Sequence, residues 1–233
     1  MPEDPVLELR ELVESLSGWL RYQRRLGWRG LPRPVETSPG VREQPERRPT
    51  LEEIRAEMGD CRRCKLYAGR TNLVFGEGAA DARLMFVGEA PGAEEDQQGV
   101  PFVGAAGQRL NSLLNKLGLR REEVYIANVV KSRPPGNRDP EPDEIAACLP
   151  FLKKQIQAIR PRVIVALGRI AAQALLDTKE PMTKMRGKWR RYQDIRVMPT
   201  FHPSFLERYP KERLKTWDDM QQVMEYLAAH EED

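Results

Sequence analysis

Histidine is nearly absent from this chain, with two residues among 233, His202 and His230. Any imidazole chemistry must therefore run through one of them, and His230 lies in the polar tail. Cysteine is almost as scarce. Three residues, Cys61, Cys64 and Cys148, exclude a disulfide framework for a chain expected in a reducing compartment. No apolar run approaches the ~20 residues that cross a bilayer, which excludes a membrane-spanning helix and a membrane partner. The N-terminus lacks the basic-then-apolar pattern of a secretory leader, so a cytoplasmic location, in a bacterial or archaeal cell near the nucleoid, is expected. No internal repeat of about 20 to 50 residues occurs, which excludes a solenoid or propeller. Gly104-Ala105-Ala106-Gly107 is followed by no Lys-Ser/Thr, so a phosphate-cradling nucleotide loop is not supported.

What remains is a chain that is 40% hydrophobic, enough for one ordinary core. Val6, Leu7, Leu9, Leu12, Val13, Leu16, Trp19 and Leu20 recur at helical spacing, predicting an amphipathic helix over 5–26 within an N-terminal segment 1–30. Residues 31–50 carry Pro32, Pro34, Pro39, Pro45 and Pro49 and read as a semi-rigid linker. Residues 51–233 read as one α/β domain. Strands are predicted at 84–87, 124–129, 163–167 and 195–199, and helices at 106–117, 142–159, 169–176 and 216–229. This alternation predicts a three-layer α/β/α sandwich around a central, mainly parallel four-stranded sheet. Nothing requires a dimer, and a monomer is expected.

Two strand ends carry the candidate chemistry. Leu84-Met85-Phe86-Val87 breaks into Gly88-Glu89-Ala90-Pro91-Gly92-Ala93-Glu94-Glu95-Asp96, which places carboxylates and free amides where open α/β sheets build their sites. A turn with a solvated acidic helix start is the alternative reading. Near the far end, Ile195–Thr200 runs into Phe201-His202-Pro203-Ser204-Phe205, so His202 also stands past a strand end, stiffened by proline. The formal charge of +3 is modest, but Lys184–Arg191 packs five positive charges and one tryptophan into eight residues. Lys131, Arg133 and Arg138 flank another strand end. Basic groups on the rim of a site suit a nucleic-acid backbone, whereas a solvated basic hairpin is the alternative. The spacing Cys61-x-x-Cys64 fits metal or cluster ligation, with ordinary buried thiols as the alternative.

Together, Cys61-x-x-Cys64, Thr71–Gly78, Gly88-Glu89-Ala90-Pro91-Gly92, Glu95-Asp96, Pro101-Phe102-Val103-Gly104, Ala127–Lys131, Arg133-Pro134-Pro135, Cys148 and His202-Pro203-Ser204 closely resemble the family 4 uracil-DNA glycosylases. These form the iron–sulfur branch of their superfamily, and the resemblance spans roughly 51–228. It implies a monofunctional enzyme that extrudes uracil from DNA, hydrolyses its N-glycosidic bond, releases free uracil and leaves an abasic site. It implies that Glu89 positions or activates water, that Glu95 and Asp96 support that loop or the water, and that His202 stabilises negative charge on the departing base. Gly88 and Ala90 would lie against the uracil, with Ala90 lending an amide to a carbonyl oxygen. Phe102 would stack on the ring and Asn128 would read its hydrogen-bonding edge. Phe205 or Leu206 would wedge into the duplex beside Ser204. Arg208 would hold a phosphate, and Lys131 and Arg186, from the basic groups on the rim, are expected to meet the DNA as well.

The resemblance also implies a 4Fe-4S cluster on Cys61, Cys64, Cys148 and a fourth cysteine. Here that fourth position is Ser132, 16 residues before Cys148. Serine is a harder and much less acidic ligand, so the cluster is expected to be altered or incomplete. An enzyme resembling the covalent uracil-DNA cross-linkers would need a histidine in Arg133–Arg138, which has none. A non-catalytic iron–sulfur or DNA-binding module is the remaining alternative. Because a cluster here would act as a structural staple, Ser132→Cys is expected to raise iron per protein and thermal stability while changing excision little. Iron content unchanged by the swap, measured colorimetrically, would contradict this.

Overall fold

The computed structural model describes residues 5–25 and 47–230. The chain divides into two compact units, Met1–Arg47 and Arg48–Asp233. In the first, α1 (Pro5–Arg25) is the predicted amphipathic helix, and Leu9, Leu12, Val13 and Leu16 remain more than half exposed. Most of the proline-rich linker, with Pro32, Pro34, Pro39 and Pro45, lies outside the described residues.

The second unit begins with α2 (Leu51–Met58). Thr50 caps it, accepting from the Glu53 amide while the Glu53 carboxylate accepts from the Thr50 amide. Then follow β1 (Glu77–Gly78), β2 (Leu84–Gly88), α3 (Ala93–Gln98), α4 (Ala105–Lys116), β3 (Tyr125–Asn128), α5 (Pro142–Ile159), β4 (Val163–Leu167), α6 (Arg169–Leu176), α7 (Met182–Met185), β5 (Arg190–Tyr192), β6 (Ile195–Thr200), α8 (Pro203–Arg208) and α9 (Arg213–Ala229). The sheet order is β1-β3-β2-β4-β6-β5. The four central strands are parallel, as predicted, and β1 and β5 add antiparallel edges. Four strands were expected and the sheet has six among the described residues. The two extra ones are two and three residues long, too short and too polar to leave an alternating pattern.

Strands β2 and β4 are buried along their whole length, which is why they read as continuous apolar runs. Their two faces feed two cores. Met85, Val87, Ile164 and Ala166 pack with Leu152 and Ile156 of α5 and Leu175 of α6. Phe86, Val163, Val165 and Met198 pack with Leu110 and Leu114 of α4 and Met220 and Val223 of α9. A third cluster seats Ile54 and Met58 of α2 against Phe151 of α5.

Register decides what the sheet presents. Gly88 lies opposite Asn128, and Leu167 lies opposite Thr200. The carboxyl ends of β2, β3, β4 and β6 are therefore level, and the segments that follow them open on one edge. Gly168 has φ of +90°, and a Cβ there would stand 3.0 Å from His202 Cβ. Glycine is what lets the loops after β4 and β6 meet so closely.

The Lys184–Arg191 segment is not a free basic hairpin. The Arg186 guanidinium meets Asp219 Oδ1 at 2.5 Å and lies over the Phe201 ring at 5.4 Å, while Arg190 bonds Glu180 at 2.9 Å. Asp219 is buried on α9 and also accepts from the Thr200 hydroxyl at 2.6 Å. Two of the five cations are therefore paired with carboxylates of the fold, and one of them ties β6 and its following loop to α9.

Candidate active site

The site begins with a missing Cβ. At Gly88 a side chain would overlap both Asn128 Oδ1 and the Phe102 ring, so glycine allows these two groups to meet over the end of β2. Asn128 is 1% exposed, and its Oδ1 has no hydrogen-bond partner. A buried amide acceptor left unpaired costs on the order of 1–3 kcal/mol, and a ligand N–H at that point would recover it. Phe102 adopts φ of +52°, a backbone that costs about 1–3 kcal/mol for a bulky residue. It is held from both sides. Arg121 donates to the Phe102 carbonyl at 3.2 Å and to that of Pro101, and the next two amides, Val103 and Gly104, each donate to Glu95 Oε1 at 2.9 Å.

Glu95 also accepts from the Gly92 amide at 3.0 Å. Its carboxylate thus joins the turn after β2 to the loop that carries Phe102. Asp96 is similarly occupied, accepting from Thr71 N at 2.9 Å and Asn72 N at 3.3 Å. The resemblance groups both carboxylates with the catalytic residues. In both, carboxylate oxygens are engaged by backbone amides, those of Glu95 by the Gly92 turn and the Phe102 loop and those of Asp96 by Thr71 and Asn72.

His202 caps α8. The Ser204 amide, which can only donate, points at Nδ1 from 3.2 Å, and the Ser204 hydroxyl stands at 2.8 Å. Nδ1 is therefore the acceptor, and the proton of the neutral ring sits on Nε2. Burial holds the imidazole pKa down to about 4 against the opposing pull of Glu95, so the ring is neutral at physiological pH. Its centroid is 5.7 Å from that of Phe102. Gly88, Asn128, Phe102 and His202 thus form one recess, and Ala90, half-buried, lies two residues past its floor.

Glu89 stands at the rim, partly buried. Burial, and then the neighbouring Asp139 carboxylate, push its pKa up to about 7, with Arg169 opposing. Asp139 in turn meets Arg169 at 2.6 Å. Neither partner is among the predicted site residues. In the sequence Asp139 reads as one more acid before a helix, and Arg169 as the first residue of α6.

Two predicted DNA contacts need correction. Lys131 is 1% exposed, and its ammonium donates to the Asn128 carbonyl at 2.8 Å and to Gln155 Oε1 at 2.7 Å. It braces the strand that carries Asn128, and burial pulls its pKa down to about 8. Arg186 is committed to Asp219, as above. The Phe205 ring is held in a ladder between Phe201 at 4.7 Å and Tyr209 at 4.6 Å, which leaves Leu206 as the freer apolar tip of that loop. Leu206 lines a groove of about 610 Å³ between α4 and α9. Arg208 is exposed.

The predicted cluster ligands gather around the segment that follows β3. The Lys131 amide donates to the buried Cys148 Sγ at 3.2 Å, and Arg63 donates to Cys61 Sγ at 3.3 Å. Burial raises the Cys148 pKa, and Cys64 and Cys61 are near enough to add to the rise. Ser132 Oγ accepts from Arg70 at 3.2 Å, and the same guanidinium reaches the Cys61 carbonyl at 2.6 Å. The four predicted ligand positions therefore share one neighbourhood. Among the described residues no three His, Cys, Asp or Glu side chains converge on a single metal ion. A cluster that takes one ligand per iron does not need such convergence.

If Gly88 sets the recess, Gly88→Ala is expected to lower uracil excision by about 100-fold, the scale of a misplacement near 1 Å, in a protein that remains folded by circular dichroism. Wild-type rates in a single-turnover assay would contradict the packing described.

Known proteins are similar to this chain over most of its length. The family model described as the uracil DNA glycosylase superfamily matches residues 75–228. A type-4 uracil-DNA glycosylase of Thermotoga maritima is 50% identical over 71% of this chain and 87% of its own. One from Sulfurisphaera tokodaii is 46% identical over 76% of this chain and 84% of its own. A type-5 uracil-DNA glycosylase of Pyrobaculum aerophilum is 33% identical over 67% and 76%. The chain belongs to the uracil DNA glycosylase superfamily, and within it to the type-4 branch.

Proposed function

We propose that this protein is a monofunctional uracil-DNA glycosylase of DNA repair. It extrudes uracil from DNA, hydrolyses the N-glycosidic bond and leaves an abasic site. The observation that carries this reading is the unpaired, buried Asn128 Oδ1 beside the Phe102 ring. Extrusion costs a few kcal/mol and is offset by stacking and edge recognition. Uracil offers N3–H to Asn128 Oδ1 and accepts at O4 from the amide nitrogen. Cytosine reverses both polarities, leaving mismatched buried groups.

Water, held by Glu89, gives a proton to the Glu89 carboxylate as its oxygen bonds to C1′. The C1′–N1 bond breaks and its electron pair leaves on uracil. The Nε2–H of neutral His202 donates to O2 as charge gathers there, a contribution of about 2.7–4 kcal/mol for one such donor. A neutral donor suits this task, because it stabilises the anion without bringing a permanent charge into the recess.

Cys61, Cys64 and Cys148, with N–H donors already directed at two of the sulfurs, suit an iron–sulfur cluster, with Ser132 at the fourth position. Bound there, the cluster would tie the Cys61 loop to α5 and supply no step of bond cleavage. Action on DNA in the cytoplasm belongs to the same reading; among the described residues no helix is long and apolar enough to cross a membrane. One copy of the chain furnishes every residue of the recess, as a monomeric enzyme requires.

Asn128→Ala tests the assignment. Excision of uracil from an oligonucleotide is expected to fall by orders of magnitude, while affinity for abasic DNA, read by gel shift, changes little. A variant that excises at the wild-type rate would remove Asn128 from recognition of the base.

A further inference from the structure

The rim around Glu89 holds charges that the recess itself does not use. Asp139 follows the loop after β3, and Arg169 opens α6 after β4, so three strand ends bring Glu89, Asp139 and Arg169 together. Arg169 Nη2 meets Asp139 Oδ2 at 2.6 Å, and because β2 lies between β3 and β4 this pair joins the segments on either side of the strand that Glu89 follows. Arg138, adjacent to Asp139 in the sequence, is turned away: its guanidinium grips Glu144 at 2.7 and 2.9 Å, meets Glu141 at 3.2 Å and bonds the Asp139 carbonyl at 2.9 Å. Asp139 and Arg169 are therefore the charged groups that act on Glu89.

Two like charges so placed cannot both ionise freely, and one holds its proton to higher pH. Arg169 decides which one: its guanidinium lies on Asp139, favouring the ionised form there and leaving the proton with Glu89. The Asp139–Arg169 pair is about half exposed, with side chains 63% and 48% accessible. Exposed ion pairs contribute little to folding, so stability is not what the pair offers. Its effect is on the neighbouring carboxyl group.

We propose that Asp139 is the positioning residue for Glu89, a second carboxylate that Arg169 holds against it and that makes Glu89 a stronger proton acceptor for the attacking water. This rests on the reading of Glu89 given above. Glu89 at about 7 is matched to proton transfer near neutral pH, where an ordinary exposed glutamate would be too weak a base. Water activation needs ionised Glu89, so the rate rises with pH through the Glu89 pKa, and the position of that acid limb reports the neighbours.

The test is the pH profile of single-turnover excision for the wild type, Glu89→Gln, Asp139→Asn and Arg169→Gln, each checked for its melting temperature. The wild type is expected to show an acid limb, and Glu89→Gln to be slow and to lack it. Asp139→Asn removes the like charge, so its limb is expected to move down by about one pH unit. Arg169→Gln removes the opposing charge, so its limb is expected to move up. A purely structural role would lower rates or stability without moving the limb in opposite directions. If the limb disappears in Glu89→Gln but stays in place in both other variants, the coupling is wrong and Glu89 keeps its role. If the limb persists in Glu89→Gln, or the wild type has none, the reading of Glu89 fails with it.

Discussion

Three backbone amides from two different loops meet on one buried carboxylate, that of Glu95. Gly92 belongs to the turn that leaves β2, and Val103 and Gly104 follow Phe102. Without this junction the Phe102 backbone, at φ of +52°, would relax toward an ordinary conformation and the ring would leave the mouth of β2. Arg121 clamps the same loop from its other side, through the carbonyls of Pro101 and Phe102. The strain at Phe102 is thus held by a donor and an acceptor that flank it, so the stacking face stands ready before a base arrives. Preorganisation of this kind lowers the cost of capturing an extruded nucleotide.

The recess so formed is polar but uncharged at its centre. His202 is kept neutral by burial and fixed in one tautomer by the Ser204 amide. Asn128 offers an unpaired acceptor, and Lys131, a buried cation close by, is spent on the Asn128 carbonyl and on Gln155. Ionisable groups whose charge matters to the reaction lie at the rim, where Glu89 meets Asp139. This division fits a reaction whose product base is an anion: donors await the charge, and the proton acceptor stands on the sugar side.

Much of this was legible in the sequence because burial leaves simple marks. The apolar runs of β2 and β4 announced a parallel sheet, and Gly88-Glu89 and His202-Pro203 were marked by the strands they end. Edge strands β1 and β5 were not legible, since two or three polar residues carry no period. The partners of charged residues were not legible either. Lys131 and Arg186 read as cations for DNA, but the fold buries one beside Gln155 and pairs the other with Asp219, contacts that span 24 and 33 residues of sequence. Asp139 was missed for the same reason: its neighbour Glu89 lies in a different loop, and only the level strand ends bring the two together.

The proposed reaction cuts the bond between uracil and its sugar in this recess and leaves the strand intact. An end-labelled oligonucleotide with one uracil, incubated with the protein and run on a denaturing gel with and without hot alkali, tests it most directly. Cleavage at the uracil only after alkali is the predicted result. An uncut strand in both lanes, or a slow-migrating covalent protein–DNA band in place of the alkali-labile product, would contradict it.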